Sequence, residues 1–71
     1  MTFYQWLIKH YRDVRCPIGD LADDVQHDVG FPKQSMKRRE ILDYLMSQNA
    51  CTACIDVFEK AFLNYKSETK N

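Results

Sequence analysis

Residues 52–66, TACIDVFEKAFLNYK, place Ile55, Phe58, Phe62 and Tyr65 at offsets of zero, three, seven and ten. That spacing sets one aliphatic and three aromatic side chains on a single face of an α-helix running from Ala50 or Thr52 to Lys66. Such a face needs partners of matching period. Upstream, Phe3, Trp6, Leu7 and Tyr11 recur at three- and four-residue intervals with Lys9, Arg12 and Asp13 turned away, giving an amphipathic helix of about three turns. After Cys16, Pro17 suits a first helical turn because its missing N–H has no partner to lose there. Ile18, Leu21, Ala22, Val25 and Val29 then form a stripe, with Asp20, Asp23, Asp24 and Asp28 outside it and Gly30-Phe31-Pro32 as the stop. A third helix is expected to open with Ser35 as its cap, to turn Ile41, Leu42 and Leu45 inward with Arg38 beside them, and to end at Ser47-Gln48-Asn49. No stretch combines sustained alternation with β-branched enrichment. The expected fold is all-α, a compact four-helix orthogonal bundle, because the segments are too short and uneven for a long coiled-coil seam.

At 71 residues the chain is one domain, expected over 1–66 with a frayed tail at 67–71. A catalytic domain with its own cofactor fold usually takes about 100 residues or more, so the length argues against an enzyme. Ten Lys and Arg balance ten Asp and Glu, which excludes a polycation that holds nucleic acid by bulk charge. Three cysteines are an odd number for a disulfide-stapled secreted domain and fit a reducing cytoplasm. Gln5, Lys9 and His10 interrupt the first apolar stretch, so neither a signal peptide nor a membrane span is expected.

Cys51-x-x-Cys54 has the spacing of half a zinc site, which Cys16, His10 or His27 can complete in principle. A thioredoxin-like motif needs a preceding strand, and none is expected. The plainer reading prolongs the stripe of the fourth helix, with both cysteines buried as small hydrophobes. No metal, cofactor or catalytic residue is therefore assigned, and His10 and His27 are expected at the surface or its boundary. The run Asp20, Asp23, Asp24 and Asp28 lacks the register and closing Glu of a calcium loop and reads as a solvated acidic face. Lys33 and Lys37-Arg38-Arg39 concentrate four cations within seven positions at a helix start, where they oppose the dipole. They call for compensation by Glu40 and Asp43, or for an anion such as phosphate.

Several stretches carry a family likeness: Phe3-Tyr4-x-Trp6-Leu7, Pro17-Ile18-Gly19-Asp20-Leu21-Ala22-x-Asp24, Asp28, Phe31-Pro32-Lys33-x-Ser35, Glu40-Ile41, Tyr44-Leu45, Asn49-Ala50 and Phe58-x-x-Ala61-x-x-x-Tyr65. In order and spacing, from Phe3 to Tyr65, the chain resembles the YozE-like family of small bacterial proteins. The resemblance implies a four-helix bundle like a sterile alpha motif (SAM), in a cytoplasmic protein of firmicutes or their phages and mobile elements. It brings no catalytic residues. SAM-like bundles serve protein association or nucleic-acid binding, and the fold alone does not choose between them. Two segments depart from the family's usual pattern. Met36-Lys37-Arg38-Arg39 stands where acidic or neutral residues are usual, and Cys51-Thr52-Ala53-Cys54 replaces an aromatic and apolar segment.

The expected function is that of a non-catalytic, monomeric adaptor that docks on a protein partner, with no cofactor, and a DNA-processing system on a mobile element is one such setting. Asp20, Asp23 and Asp24 are the expected partner-binding residues. The alternative is direct nucleic-acid binding through Lys33, Lys37, Arg38 and Arg39.

Overall fold

The computed structural model describes residues 1–69. Its helices are α1 (Phe3–Tyr11), α2 (Pro17–Gln26), α3 (Arg38–Ser47) and α4 (Thr52–Thr69), with no strand among the described residues. Helix α1 opens on a reciprocal cap: the Thr2 hydroxyl accepts from the Gln5 amide at 3.2 Å, and the Gln5 side chain accepts from the Thr2 amide at 2.9 Å. Phe3, Trp6 and Leu7 then turn inward, as their spacing requires. Asp13, at φ 63°, takes the left-handed conformation that lets the chain reverse toward α2.

Helix α2 begins at Pro17, with the Cys16 thiol accepting from the Gly19 amide at 3.3 Å. Gly19 is required here by a close approach. A Cβ at this position would collide with the carbonyl oxygen of Val14 and lie 3.4 Å from that of Tyr11. Helix α2 ends at Gln26, before Val29, which is exposed rather than part of the apolar stripe. The reason lies in the next residues, where the Asp28 carboxylate accepts from the Gly30 amide at 3.0 Å and draws the backbone into a turn instead of another helical step. Phe31 is buried beyond that turn and stands edge-on to Tyr44 of α3, with the Tyr4 ring of α1 on its other contact.

Ser35 does not cap α3. Its hydroxyl accepts from the Lys37 amide two residues on, closing a local turn, and α3 starts at Arg38 with Lys37 at the cap position and no side-chain cap bond. Ile41 and Leu45 are buried and Leu42 is partly so, whereas Arg38 is exposed. Asn49 at φ 61° follows the end of α3 at the expected place.

Helix α4 buries Phe58, Ala61, Phe62 and Tyr65, packs against all three other helices and holds Ile55 partly buried. It runs past the expected end at Lys66. Ser67–Thr69 are helical rather than frayed, Glu68 accepts from the Trp6 indole N–H at 3.1 Å, and Thr69 donates to the Tyr65 carbonyl. The remainder of the expected tail, residues 70–71, lies outside the described residues. At the other end, the Tyr65 hydroxyl donates to the Met1 carbonyl at 2.6 Å, so the first residues and the last helix hold each other.

The contact at Gly19 yields a direct prediction. Gly19→Ala should lower stability by about 1–3 kcal/mol, because the obstacle is backbone rather than a side chain that can move aside. Urea unfolding followed by circular dichroism measures it; an unchanged midpoint would show that α2 does not sit against Val14 as described.

Candidate functional site

The two charged regions singled out by the sequence are built differently. Asp20, Asp23 and Asp24 project from α2 and are exposed. Among the described residues, none of the three has a Lys or Arg nitrogen within 4.0 Å, while a ring nitrogen of His27 lies 3.6 Å from an Asp23 carboxylate oxygen. Asp28 plays another part: besides Gly30, it accepts from the Tyr44 hydroxyl at 2.6 Å, which ties the turn after α2 to α3. That hydrogen bond, with burial second, raises the Tyr44 pKa.

The four cations are in turn largely engaged. Lys33 is half-buried with its ammonium 5.5 Å from the centre of the Tyr4 ring. Arg38 makes a two-pronged ion pair across to Glu59 of α4, one arm at 2.7 Å between Nε and Oε1 and the other between Nη2 and Oε2. Arg39 pairs with Asp43 one turn along α3 at 3.1 Å. Only Lys37, exposed at the cap position, has neither a carboxylate within 4.0 Å nor an aromatic face among the described residues. Compensation of these cations therefore comes from Asp43, as expected, and from Glu59, which sequence spacing did not identify; Glu40 lies in the first turn of α3 but makes no ion pair among the described residues.

Beside the acidic face runs a groove of about 170 Å³ between α2 and α4, lined by Pro17, Asp20, Leu21, Asp24, Ala53, Cys54 and Val57. Its floor is apolar and its α2 rim is acidic. The α4 side of this groove was legible as a second stripe, since Ala53 and Cys54 stand four and three residues before Val57. The dominant aromatic stripe obscured it.

Cys51 and Cys54 are exposed, contrary to the expectation of core packing. Cys51 precedes α4 and its Sγ accepts from the Cys54 amide at 3.4 Å, so the first thiol acts as a helix cap and the second lies one turn in, on the rim of the groove. Cys16 is half-buried at the start of α2. His10 lies over the Trp6 ring and 3.8 Å from Glu68, and the His27 ring is 2.9 Å from the Asp23 carbonyl; both histidines are exposed. Among the described residues, no three His, Cys, Asp or Glu side chains are grouped to hold a metal ion. No described helix is long and apolar enough to cross a membrane.

The Arg38 pair holds the Glu59 carboxyl below its ordinary value of 4.5, chiefly through the side-chain hydrogen bond. A depressed carboxyl pKa contributes stability that is fully present above the ordinary value and is lost as pH falls through the folded one. Glu59→Gln should therefore unfold at lower urea than the wild type at about pH 7, with a smaller difference at about pH 3, below the ordinary carboxyl value. Urea midpoints at the two pH values check this, and an equal gap at both would contradict a charged α3–α4 clasp.

Comparison with known proteins agrees with this architecture. The family model described as the YozE SAM-like fold matches residues 2–67. A UPF0346 protein of Bacillus cytotoxicus is 38% identical over 71 residues, with 94% of each chain covered. One from Bacillus licheniformis is 33% identical over 70 residues, covering 97% of this chain and 96% of its own. A third, from Lactobacillus acidophilus, is 29% identical over 68 residues, covering 94% and 90%. No solved structure matches the chain. Matched from its first capping residue into the last turns of α4, the chain belongs to the YozE family of SAM-like helical bundles.

Proposed function

We propose that this chain is a non-catalytic interaction module of the cytoplasm that docks a basic segment of a protein partner on the α2–α4 face. The observation that carries this reading is the contrast between the two charged regions. Asp20, Asp23 and Asp24 stand exposed without Lys or Arg partners among the described residues, whereas Arg38 and Arg39 already hold carboxylates. An incoming cation meets uncompensated charge on α2, but an incoming phosphate must compete with Glu59 and Asp43 on α3. The groove supplies the rest of an interface, with Leu21, Ala53 and Val57 as an apolar centre and Asp20 and Asp24 as its polar rim. Charge complementarity of this kind speeds encounter and fixes register, while the apolar centre limits dissociation.

A second reading, direct nucleic-acid binding, is favoured by one feature. The start of α3 has no side-chain cap, so its amide groups and Lys37 are available to a phosphate, with Lys33 as a further cation of the same segment. Phosphate contacts by these two lysines would make the affinity fall as salt rises.

Affinity capture from the native host, with mass-spectrometric identification, tests the two readings together. The wild-type chain should retain a specific protein partner that is lost on Asp20, Asp23, Asp24→Lys and kept on Lys33, Lys37, Arg38, Arg39→Ala. Circular dichroism confirms that both variants fold. Retention of nucleic acid that resists nuclease-free washing at moderate salt and disappears only in the basic-patch variant would replace the first reading with the second.

A further inference from the structure

We propose that Cys51 and Cys54 form a thiol–disulfide exchange site, a dithiol that reduces small disulfides bearing positive charge and closes into its own disulfide. The exchange chemistry needs the two thiols and not a docked chain, while its charge preference draws on Asp20 and Asp24 of the groove assigned above to docking. Its two sulfurs lie 3.1 Å apart, and both residues are exposed. Positions three apart in a first helical turn face one another, so closing the bond to about 2.05 Å asks for thiol rotation and little backbone movement.

The two thiols have distinct roles. Cys51 sits at the positive end of an 18-residue helix, with the Cys54 amide pointing at its sulfur from 3.4 Å. A thiolate there is stabilised by the dipole and by that donor. Hydrogen bonding with the Cys54 thiol, then with backbone N–H, lowers the Cys51 pKa, and the same thiol contact raises that of Cys54. Cys51 is thus the attacking thiolate and Cys54 the resolving thiol. In the first step the Cys51 thiolate attacks one sulfur of a disulfide R–S–S–R. The S–S bond breaks, a mixed disulfide forms on Cys51, and one thiolate leaves and takes a proton from water. Cys54 then gives its proton to solvent and attacks the Cys51 sulfur, which breaks the mixed disulfide and expels the second thiolate, protonated in turn. Two electrons pass from the cysteine pair to the small disulfide, leaving two free thiols and a Cys51–Cys54 bond.

The neighbouring groove sets the substrate class. Cys54 shares its lining with Asp20 and Asp24, which repel an anionic disulfide and attract a cationic one. Cys16 shares the capping role but has no second thiol beside it, so it lacks a resolving partner.

The test treats the reduced, full-length protein with cystamine or with oxidised glutathione at low salt and without oxygen, quenches by alkylation, and reads intact and peptide masses. The expected product has lost two hydrogens, carries a bond mapped to Cys51 and Cys54, and leaves Cys16 open to alkylation. Cystamine should react about tenfold faster than oxidised glutathione, and that ratio should shrink in Asp20→Asn/Asp24→Asn. Cys54→Ser should stop at a mixed disulfide on Cys51. Modification of Cys16 ahead of Cys51, a stable mixed disulfide on the wild type, or a rate ratio unmoved by the Asn variants would overturn the proposal.

Discussion

The ring of Phe3 holds this molecule together. It lies 5.3 Å from the Phe62 ring, 5.5 Å from Phe58 and 5.6 Å from Tyr65, all on α4, and 6.0 Å from Trp6 on its own helix. These contacts join the beginning of the chain to its last helix and commit α1 and α4 to one another. A domain of this size buries only roughly 60% of the surface its unfolded chain exposes, so a few large rings must supply much of its cohesion. The polar contacts at the margin of the cluster, from Trp6 to Glu68 and from Tyr65 to Met1, satisfy the indole and hydroxyl groups that such burial would otherwise leave without partners.

Once α1 and α4 are fixed, the other elements have few places to go. Helix α2 must pass close over the end of α1, which only Gly19 permits, and it thereby presents its aspartates beside the second stripe of α4. Helix α3 meets α4 with a small apolar surface, and three further ties hold it: Phe31 wedged against Tyr44, the Tyr44 hydroxyl bonded to Asp28, and Arg38 clasped by Glu59. The fold thus engages Arg38 to position α3 and leaves Asp20, Asp23 and Asp24 of α2 without Lys or Arg partners among the described residues. The start of α4 turns Ile55 toward the core and leaves the thiols of Cys51 and Cys54 in solvent.

The helices and most of the core were legible from periodicity, because an aromatic stripe such as Phe58, Phe62 and Tyr65 admits one helical face and α1 carries its complement. Boundaries set by side chains that bond their own backbone were less so. Val29 continues the α2 period but is exposed because Asp28 diverts the chain, and Ser35 looks like a cap but spends its hydroxyl on Lys37. The cysteines were misplaced for a different reason: they extend an apolar pattern into a turn that α2 flanks across an open groove and does not cover. Arg38 and Glu59 are twenty-one positions apart, and no local spacing announces their pair. The acidic run was readable as a face, yet only the folded chain separates Asp28, which braces a turn, from Asp20, Asp23 and Asp24, which do not.

The division of charge between a committed basic segment and an uncommitted acidic face is tested most directly by nuclear magnetic resonance mapping. Amide shifts of the labelled protein would be followed at physiological salt while a lysine-rich peptide or a short DNA duplex is added. The peptide should move the resonances of Asp20, Leu21, Asp24 and Val57, and the duplex should leave Lys33 and Lys37 to Arg39 in place. Shifts at the basic segment on adding DNA, with α2 silent toward the peptide, would contradict it.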